Sequence, residues 1–300
     1  MNTGEIMQVA YRKKIVVPAF NIPYLPMMEP VVRALHDTNT FGLIMVARLE
    51  WIKFQAGSMK AIAEEYARTK DEWLTRLHLD HIPVIDEDNQ RTDYLALIKE
   101  ALDLGYQSVM IDGSRLPLEE NINATQQVVK EAHRYHVPVE AELGAVFGHE
   151  EGPLPSYEEL FASGKGFTSH DEASVFVKET GVDWLSVAIG NIHGAISHAK
   201  KNEKKTEARL HIDHLKKIHQ AVNIPLVLHG GTGIRNEYIL KAVENGITKI
   251  NIATAIRQPY EQLMNSSIKK ACESVYQTVI KIVTSDLKIA GTASQLLNHH

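Results

Sequence analysis

Residues 225–231 read PLVLHGG, a nearly continuous apolar run that ends in a histidine and two glycines. Two other stretches have the same character, GLIMVA at 42–47 and LSVAIG at 185–190. A strand with one solvent-exposed face alternates apolar and polar residues, whereas these runs are apolar on both faces. They therefore predict parallel strands that are covered by helices or enclosed in a barrel.

Eight such strands can be placed along the chain. They are predicted at 15–22, 42–47, 77–82, 108–113, 138–144, 184–190, 225–231 and 249–254. Segments with helical spacing of apolar residues, such as 94–104 and 122–136, lie between them. The alternation of strands and helices predicts a (β/α)8 TIM barrel, an α/β fold. An open doubly wound sheet is the alternative, but neither a Gly-x-Gly-x-x-Gly nor a Walker loop follows the first strand.

The length suits one barrel domain over residues 1–300, since such a barrel needs about 250 residues. The stretch 144–170 is rich in glycine, proline and serine and follows the fifth predicted strand. Long irregular stretches inside a domain are usually functional, so we expect a loop over the active site. The stretch 259–282 predicts a C-terminal helical extension.

Composition and charge restrict the classes of partner. The net charge of −5 disfavours nucleic acid or an acidic membrane surface. Hydrophobic residues make up 44% of the chain, but no run reaches the roughly 18 apolar residues of a membrane span. The N-terminus lacks the apolar core of a signal peptide, and Cys272 is the sole cysteine. We therefore expect no membrane partner and a reducing, cytoplasmic setting.

Three histidines each close an apolar strand: His81 in HLDHI, His193 in AIGNIHG and His229 in LVLHGG. In a parallel barrel the C-terminal ends of the strands converge on one face, where catalytic groups gather. Three imidazoles with an open fourth position make a catalytic zinc site. For any one of these histidines alone, a hydrogen-bonded core residue is the alternative.

Acidic side chains accompany these histidines. Asp80 precedes His81, so strand alternation alone would direct them to opposite faces, although both can reach the mouth at a fraying strand end. An acid beside a metal can exchange a proton with a substrate hydroxyl. The alternative is a carboxylate that orients an imidazole ligand. Asp112, Glu140 and Glu142 also lie at strand ends and are candidates for that second role or for barrel lining.

The last two strands run into turns that can bind a phosphate. Gly230 and Gly231 allow close backbone approach, and Thr232 adds a hydroxyl before the next helix. Four residues place N–H groups and a second hydroxyl where the following helix begins: Asn251, Ile252, Ala253 and Thr254. A metal beside such turns suggests carbonyl chemistry on a sugar phosphate. These residues alone do not separate an aldolase from an isomerase or an epimerase.

Seven motifs resemble the class II fructose- and tagatose-bisphosphate aldolases in order and spacing. They are VPAFNI, LHLDH, SVMIDGS, VEAELG, GVDWLSVAIGNIHG, PLVLHGGTGI and TKINIATAI, and the resemblance spans about 16–294. Ala253 stands where the fructose enzymes usually have aspartate, which resembles the tagatose branch. The resemblance implies a zinc-dependent aldolase, a carbon–carbon lyase, that cleaves or makes a ketose 1-phosphate and yields dihydroxyacetone phosphate.

The resemblance also implies roles for individual residues. Asp80 matches the acid/base that acts on the C4 hydroxyl, and Glu151 matches the glutamate that exchanges a proton with dihydroxyacetone phosphate. Glu142 matches an acid that takes part in metal binding in some relatives. The zinc ligands match His81, His193 and His229. The substrate-binding positions match Asn21, Gly194, Gly230, Gly231, Thr232, Asn251, Ile252, Ala253 and Thr254. The resemblance leaves a monovalent cation open as a second ion.

Two positions depart from the family pattern. After the second strand the family carries small residues near the ketone phosphate, but this chain reads ARLEWIKFQAGS and places Arg48 there. Relatives use an arginine for the far phosphate of a bisphosphate, and that position falls near Thr284, where IKIVTSDLK has none. A misalignment would bring Lys281 or Lys288 into place. We expect instead a substrate with a different C6 group, and Arg48 as a new cation that binds another anion or re-aims the substrate.

Several functional alternatives remain open from the sequence. The aldehyde fragment could be glyceraldehyde 3-phosphate or could carry a sulfonate or a carboxylate. A non-catalytic sugar-phosphate-binding or chaperone-like subunit of an aldolase complex is the alternative from another class. The acids and histidines matched above argue against it. The resemblance and the apolar positions of 259–282 further predict a homodimer or homotetramer.

Overall fold

The computed structural model describes residues 1–144, 157–191, 208–231 and 233–297. Eight parallel strands close into one barrel, in which each strand pairs with the next and the last pairs with the first. The strands are β1 Val17–Asn21, β2 Gly42–Val46, β3 Thr75–Pro83, β4 Ser108–Asp112, β5 Val139–Leu143, β6 Trp184–Val187, β7 Leu226–Leu228 and β8 Ile247–Ile252. The predicted (β/α)8 barrel is confirmed, and each predicted strand overlaps an observed one.

The α-helices lie around the barrel and across the N-terminal end of its strands. They are α1 Thr3–Lys13, α2 Met28–Asp37, α3 Arg48–Ile52, α4 Met59–Thr69, α5 Tyr94–Asp103, α6 Leu118–Arg134, α7 Tyr157–Ser163, α8 His170–Thr180, α9 Ile212–Val222, α10 Asn236–Glu244, α11 Thr254–Leu263, α12 Ile268–Lys281 and α13 Ala293–Leu297. The outward strand residues pack on these helices; Phe20 and Ile44 share one core cluster with Val31 and Leu35 of α2. Within the described ranges, no helix combines the length and apolar character needed to cross a lipid bilayer.

Two predicted segments differ from the observed helices. The seven-residue helix α7 lies inside the stretch 144–170 that was predicted to be irregular, while 145–156 lies outside the described ranges. The stretch 259–282 is not one helix but the end of α11 followed by α12. Residues 264–267 separate the two helices, and Ser267 caps α12, with its Oγ accepting the Lys270 N–H at 3.3 Å.

The interior of the barrel changes character along its axis. At the N-terminal end of the strands, Val17 and Ala19 of β1 pack with Leu43 of β2 and with Ile6 of α1 in one apolar cluster. Two residues further along β1, the same inward face carries Asn21. The apolar plug therefore closes one end of the barrel, and polar side chains gather at the other end.

Candidate active site

Strand β3 brings the neighbouring side chains Asp80 and His81 to the same mouth of the barrel. The strand does not fray there; it continues to Pro83, and its pairing with β4 shifts register between Leu79 and Ile82. His81 has a φ of 136°, which residues with side chains rarely adopt. A bulge of this kind, and not a fraying strand end, cancels the strand alternation and lets both side chains reach the interior.

His81, His229 and Glu142 present their ligand atoms to one another across the mouth. Glu142 Oε2 lies 3.6 Å from His81 Nε2 and 3.2 Å from His229 Nδ1. A tetrahedral zinc ion with bonds of about 2.05 Å holds its ligand atoms about 3.3 Å apart. The donor atoms and their spacing therefore fit a divalent metal ion.

Two further carboxylates contact the other nitrogen of each imidazole. Asp112 Oδ2 lies 3.3 Å from His81 Nδ1, and Glu140 Oε1 lies 2.9 Å from His229 Nε2. Such contacts fix the tautomer and the ring orientation of metal-binding histidines. The strand-end positions of Asp112, Glu140 and Glu142 predict side chains at the mouth, and the structure brings all three to these two histidines.

The same carboxylates raise the pKa values of both imidazoles. Burial lowers the pKa of His229, but hydrogen bonds with Glu140 and Glu142 outweigh this effect and raise the pKa to about 10. Burial also lowers the pKa of His81, but the charges of Asp112 and Glu142 outweigh this effect, so the pKa of His81 is raised. His229 is therefore protonated at neutral pH, and a metal ion must displace that proton to bind the ring.

One pleat deeper in the barrel, Lys249 of β8 lies among three polar side chains. Its Nζ is 2.7 Å from Glu140 Oε2, and neither side chain is exposed to solvent. The same Nζ is 3.2 Å from His78 Nε2 and 3.6 Å from Asp80 Oδ1. Although His78, Asp80 and Glu140 are close enough together to hold a metal, the ammonium group already occupies that position.

The lysine determines the charge of Asp80. Burial raises the pKa of Asp80, but the charge of Lys249 and the hydrogen bond with His78 outweigh it and hold the pKa well below its usual range. Asp80 is therefore ionised at neutral pH. It lies one residue from a candidate metal ligand in a form that can accept a proton.

His78 and Lys249 are site residues that the sequence motifs did not reveal. A signal was available, because each lies two residues before a candidate site residue, Asp80 or Asn251, on the same strand. Residues two apart on a strand share a face. A polar pair at this spacing within an apolar run therefore indicates side chains that point into the barrel.

Two asparagines at the mouth donate hydrogen bonds from their side-chain N–H groups to carboxylates. Asn251 Nδ2 donates to both oxygens of Asp80, at 3.0 and 3.2 Å. Asn21 Nδ2 donates to Glu50 Oε1 at 2.7 Å, and Glu50 Oε2 accepts the Ala47 N–H at 2.8 Å. Burial raises the pKa of Glu50 to about 7, although these two hydrogen bonds oppose the shift.

The turns after β7 and β8 present backbone groups near these side chains. Gly230 has a φ of 65°, and a side chain at Gly231 would meet Ile250 Cδ1 at 2.8 Å. Both positions therefore favour glycine. Helix α11 begins at Thr254, and its N-cap Ala253 offers no side-chain acceptor to the N–H groups of the first turn. Such groups are suited to bind an anion.

Arg48 is already paired with acidic side chains. Its Nη2 lies 3.4 Å from Asp86 Oδ2, and its Nη1 lies 3.1 Å from Glu87 Oε2. The guanidinium charge is thus compensated on both sides. An anionic substrate group would have to compete with both carboxylates for Arg48.

Four of the candidate residues lie outside the described ranges. They are Glu151, His193, Gly194 and Thr232. Their assignments remain predictions from the family resemblance.

The backbone of His81 generates a stability prediction. Glycine adopts a φ of 136° without the steric strain that any side chain adds, so metal-free His81→Gly should exceed His81→Ala in unfolding free energy by about 1–3 kcal/mol. His229 lacks a positive φ, and there glycine should be about 0.5–1 kcal/mol less stable than alanine. Denaturant unfolding of the four variants measures both differences. If alanine gives the higher unfolding free energy at both positions, the result contradicts backbone strain at His81.

Comparison with solved structures identifies barrels of the same architecture. A candidate fructose-1,6-bisphosphate aldolase from Coccidioides immitis has a TM-score of 0.76 and 23% identity, covering 97% of this chain and 98% of its own. The YdjI aldolase from Escherichia coli K12 has a TM-score of 0.70 and 25% identity, with coverage of 99% and 96%. Fructose-bisphosphate aldolase from Campylobacter jejuni has a TM-score of 0.71 and 20% identity, with coverage of 97% and 96%.

A sequence profile decides the family. The profile described as "Fructose-bisphosphate aldolase class-II" matches residues 1–295, almost the whole chain. That match agrees with the barrel, with the group of histidines and acids that fits a divalent metal, and with the ionised Asp80 beside it. The chain therefore belongs to the class II fructose-bisphosphate aldolase family.

Proposed function

We propose that this aldolase uses zinc to cleave a ketose 1-phosphate to dihydroxyacetone phosphate and an aldehyde, and to catalyse the reverse condensation. The observation that carries the proposal is the contact of Glu142 with both His81 and His229, with ionised Asp80 adjacent in the chain. A non-catalytic sugar-phosphate-binding subunit would need neither feature. The assignment to the tagatose branch and the cytoplasmic setting stay predictions.

The proposed zinc ligands are His81 and His229, with His193 as the third imidazole and Glu142 as an additional or alternate ligand. Two imidazoles and a carboxylate form a donor set that zinc accepts readily. When bound there, the ion would supply Lewis-acid polarisation of the substrate carbonyl. Asp112 and Glu140 would hold the two described imidazoles in their orientations.

Asp80 is the proposed base for cleavage. Its carboxylate takes the proton from the C4 hydroxyl oxygen, and the aldehyde C=O forms as the C3–C4 bond breaks. The electron pair of that bond passes to C3, which is conjugated with the ketone, and Glu151 delivers a proton to C3. Condensation reverses these steps. Lys249 keeps Asp80 ionised, and Asn251 holds its orientation.

The phosphate of the ketone fragment is proposed to bind at the turns after β7 and β8. The N–H groups at the start of α11 and the close-approach glycines Gly230 and Gly231 support this placement. Gly194, Thr232 and the residues 251–254 complete the proposed site. We also propose a homodimer or homotetramer, on the family resemblance. A monovalent cation as a second ion stays a prediction from the family resemblance.

Metal binding should release a proton. Because His229 has a pKa of about 10 without metal, each zinc ion bound near pH 7.5 is expected to release about one proton or more. Titration calorimetry in buffers of different ionisation enthalpy measures that number. Activity lost on chelation should return with zinc, and His229→Ala should lower both affinity and proton release. Full activity in verified metal-free protein would contradict the metal assignment.

Asp80 and Asp112 should respond differently to neutralisation. Asp80→Asn is expected to retain zinc but to cleave substrate at least about 10²-fold more slowly, because the proton acceptor is lost. Asp112→Asn should weaken zinc binding by about 10- to 100-fold, with turnover recovering in excess zinc. Metal content and cleavage rates measured in parallel separate the two roles. Loss of zinc in Asp80→Asn would overturn its assignment as the base.

The C6 group of the preferred substrate is proposed not to be a phosphate. Arg48 is compensated by Asp86 and Glu87, and Thr284, which is exposed, stands where relatives use arginine. A charge-assisted hydrogen bond contributes about 1.5–3 kcal/mol, so kcat/KM for fructose and tagatose 1,6-bisphosphates should fall about 10- to 150-fold below the best substrate. A panel of ketose 1-phosphates with hydroxyl, sulfonate, carboxylate or phosphate at C6 provides the ranking.

One control tests whether the sequence near Thr284 is correctly aligned with its relatives. If Lys288 served the far phosphate, Lys288→Ala would selectively depress turnover of the bisphosphates. We expect it to leave the ranking unchanged. A bisphosphate at the top of the ranking would refute the proposed specificity.

A further inference from the structure

The side-chain oxygen of Asn21 is buried and receives no hydrogen bond within the described ranges. The residue is 7% exposed, and its Nδ2 is bound by Glu50 Oε1. Among the described residues, none donates a hydrogen bond to Asn21 Oδ1. An unsatisfied buried carbonyl oxygen is costly, and such groups in native proteins call for an explanation. A donor supplied by a ligand would satisfy it.

Glu50 determines which end of the Asn21 amide is presented. An ionised carboxylate can only accept hydrogen bonds, and Glu50 uses one oxygen for Asn21 Nδ2 and the other for the Ala47 N–H. Turning the Asn21 amide over would place two oxygens against each other. When Glu50 is ionised, the Oδ1 atom of Asn21 must therefore face away from it.

Asn251 follows the same arrangement on the adjacent strand. Its Nδ2 is held by Asp80, and its own Oδ1 is buried and lacks a donor among the described residues. In the pairing of β1 with β8, Asn251 lies opposite Ala19, so Asn21 is two residues nearer the mouth. Two residues of strand correspond to about 6.6 Å. The two carbonyl oxygens are therefore unsatisfied acceptors at different depths of the mouth. A substrate with donors along its length would satisfy both.

The position of Glu50 indicates which half of the substrate reaches Asn21. Glu50 lies in α3, directly after β2, and β2 pairs with β3, the strand that carries Asp80, so the two carboxylates lie at the same side of the mouth. In the proposed function Asp80 takes the proton of the C4 hydroxyl, and C4 belongs to the aldehyde fragment. A hydroxyl can donate to Asn21 Oδ1, whereas a carbonyl or an ionised phosphate cannot.

We propose that Glu50 is a positioning residue for specificity: it fixes Asn21 so that Asn21 Oδ1 accepts a hydrogen bond from a hydroxyl group on the aldehyde fragment. The inference rests on the proposed aldolase function. It assigns a role to the residues after β2, where the chain departs from the family pattern. A site built to accept a hydroxyl proton rejects the analogue that lacks the hydroxyl, because the acceptor is then left unpaired.

The test uses dihydroxyacetone phosphate with two aldehydes that differ in one hydroxyl, glycolaldehyde and acetaldehyde. The measured quantity is the ratio of their kcat/KM values, at pH 8.5, where Glu50 with its pKa of about 7 is ionised. Glu50→Gln introduces a donor, so Asn21 turns over and presents its N–H2 group to the substrate. The ratio should fall about 3- to 10-fold relative to the unaltered enzyme. Asn21→Ala should lower it by a similar factor.

A double variant distinguishes positioning from a general structural effect. If Glu50 acts through Asn21, Glu50→Gln should not lower the ratio further in an Asn21→Ala background. Glu87→Gln is the matched control. It removes a carboxylate that contacts Arg48, two residues before Glu50 in the chain, and does not bond Asn21, so it should leave the ratio unchanged. An unchanged ratio in Glu50→Gln, or independent effects in the double variant, would overturn the proposal. If Glu50→Gln does not fold, an unchanged ratio in folded Asn21→Ala overturns it equally.

Proton exchange separates this inference from the proposed function. Exchange of dihydroxyacetone phosphate protons in D2O needs no aldehyde, so all variants should retain it. Exchange with an altered ratio supports both claims, and exchange with an unchanged ratio rejects the role of Glu50 alone. If the unaltered enzyme shows no exchange, the aldolase function fails and the inference fails with it.

Discussion

The buried ion pair between Lys249 and Glu140 is the interaction on which the site depends. The two groups are 2.7 Å apart, and neither is exposed to solvent. Glu140 also accepts the indole N–H of Trp184 and contacts His229, so the pair connects β8, β5, β6 and β7 across the barrel. A buried pair of this kind adds little net stability, since removing both charges from water costs about as much as their attraction returns. Its consequence here is electrostatic: the ammonium keeps Asp80 ionised, and the carboxylate orients His229.

The apolar residues that stabilise the barrel lie at one end of its axis, and the polar residues of the candidate site lie at the other end. The interior near α1 is apolar, while each step toward the mouth adds polar side chains at alternate strand positions. On β3 the sequence is His78 and then Asp80, and on β5 it is Glu140 and then Glu142. The deeper residues, His78 and Glu140, lie closest to the ammonium group of Lys249. The outer residues, Asp80 and Glu142, face the space where substrate and metal would bind. The bulge at His81 adds one more inward side chain than regular alternation allows.

The sequence was sufficient for the fold because buried parallel strands are apolar on both faces, and eight such runs can be recognised without tertiary information. Candidate ligands could be found because strand ends converge in a barrel. Other features depended on contacts that sequence does not display. Arg48 looks like a free cation in the sequence, yet Asp86 and Glu87, some 40 residues away, compensate it. The register shift of β3 against β4 and the amide orientation of Asn21 likewise involve residues on other segments.

We propose that His81 and His229 hold the catalytic metal, with His193 as the third imidazole and Glu142 beside them. Anomalous diffraction from crystals of the zinc-loaded enzyme, recorded on both sides of the zinc absorption edge, tests it most directly. The account predicts one strong zinc peak per chain, within about 2.0–2.2 Å of ligand nitrogens of both histidines, with Glu142 close by. A zinc peak among His78, Asp80 and Glu140, or no peak at the mouth in active crystals, would contradict it.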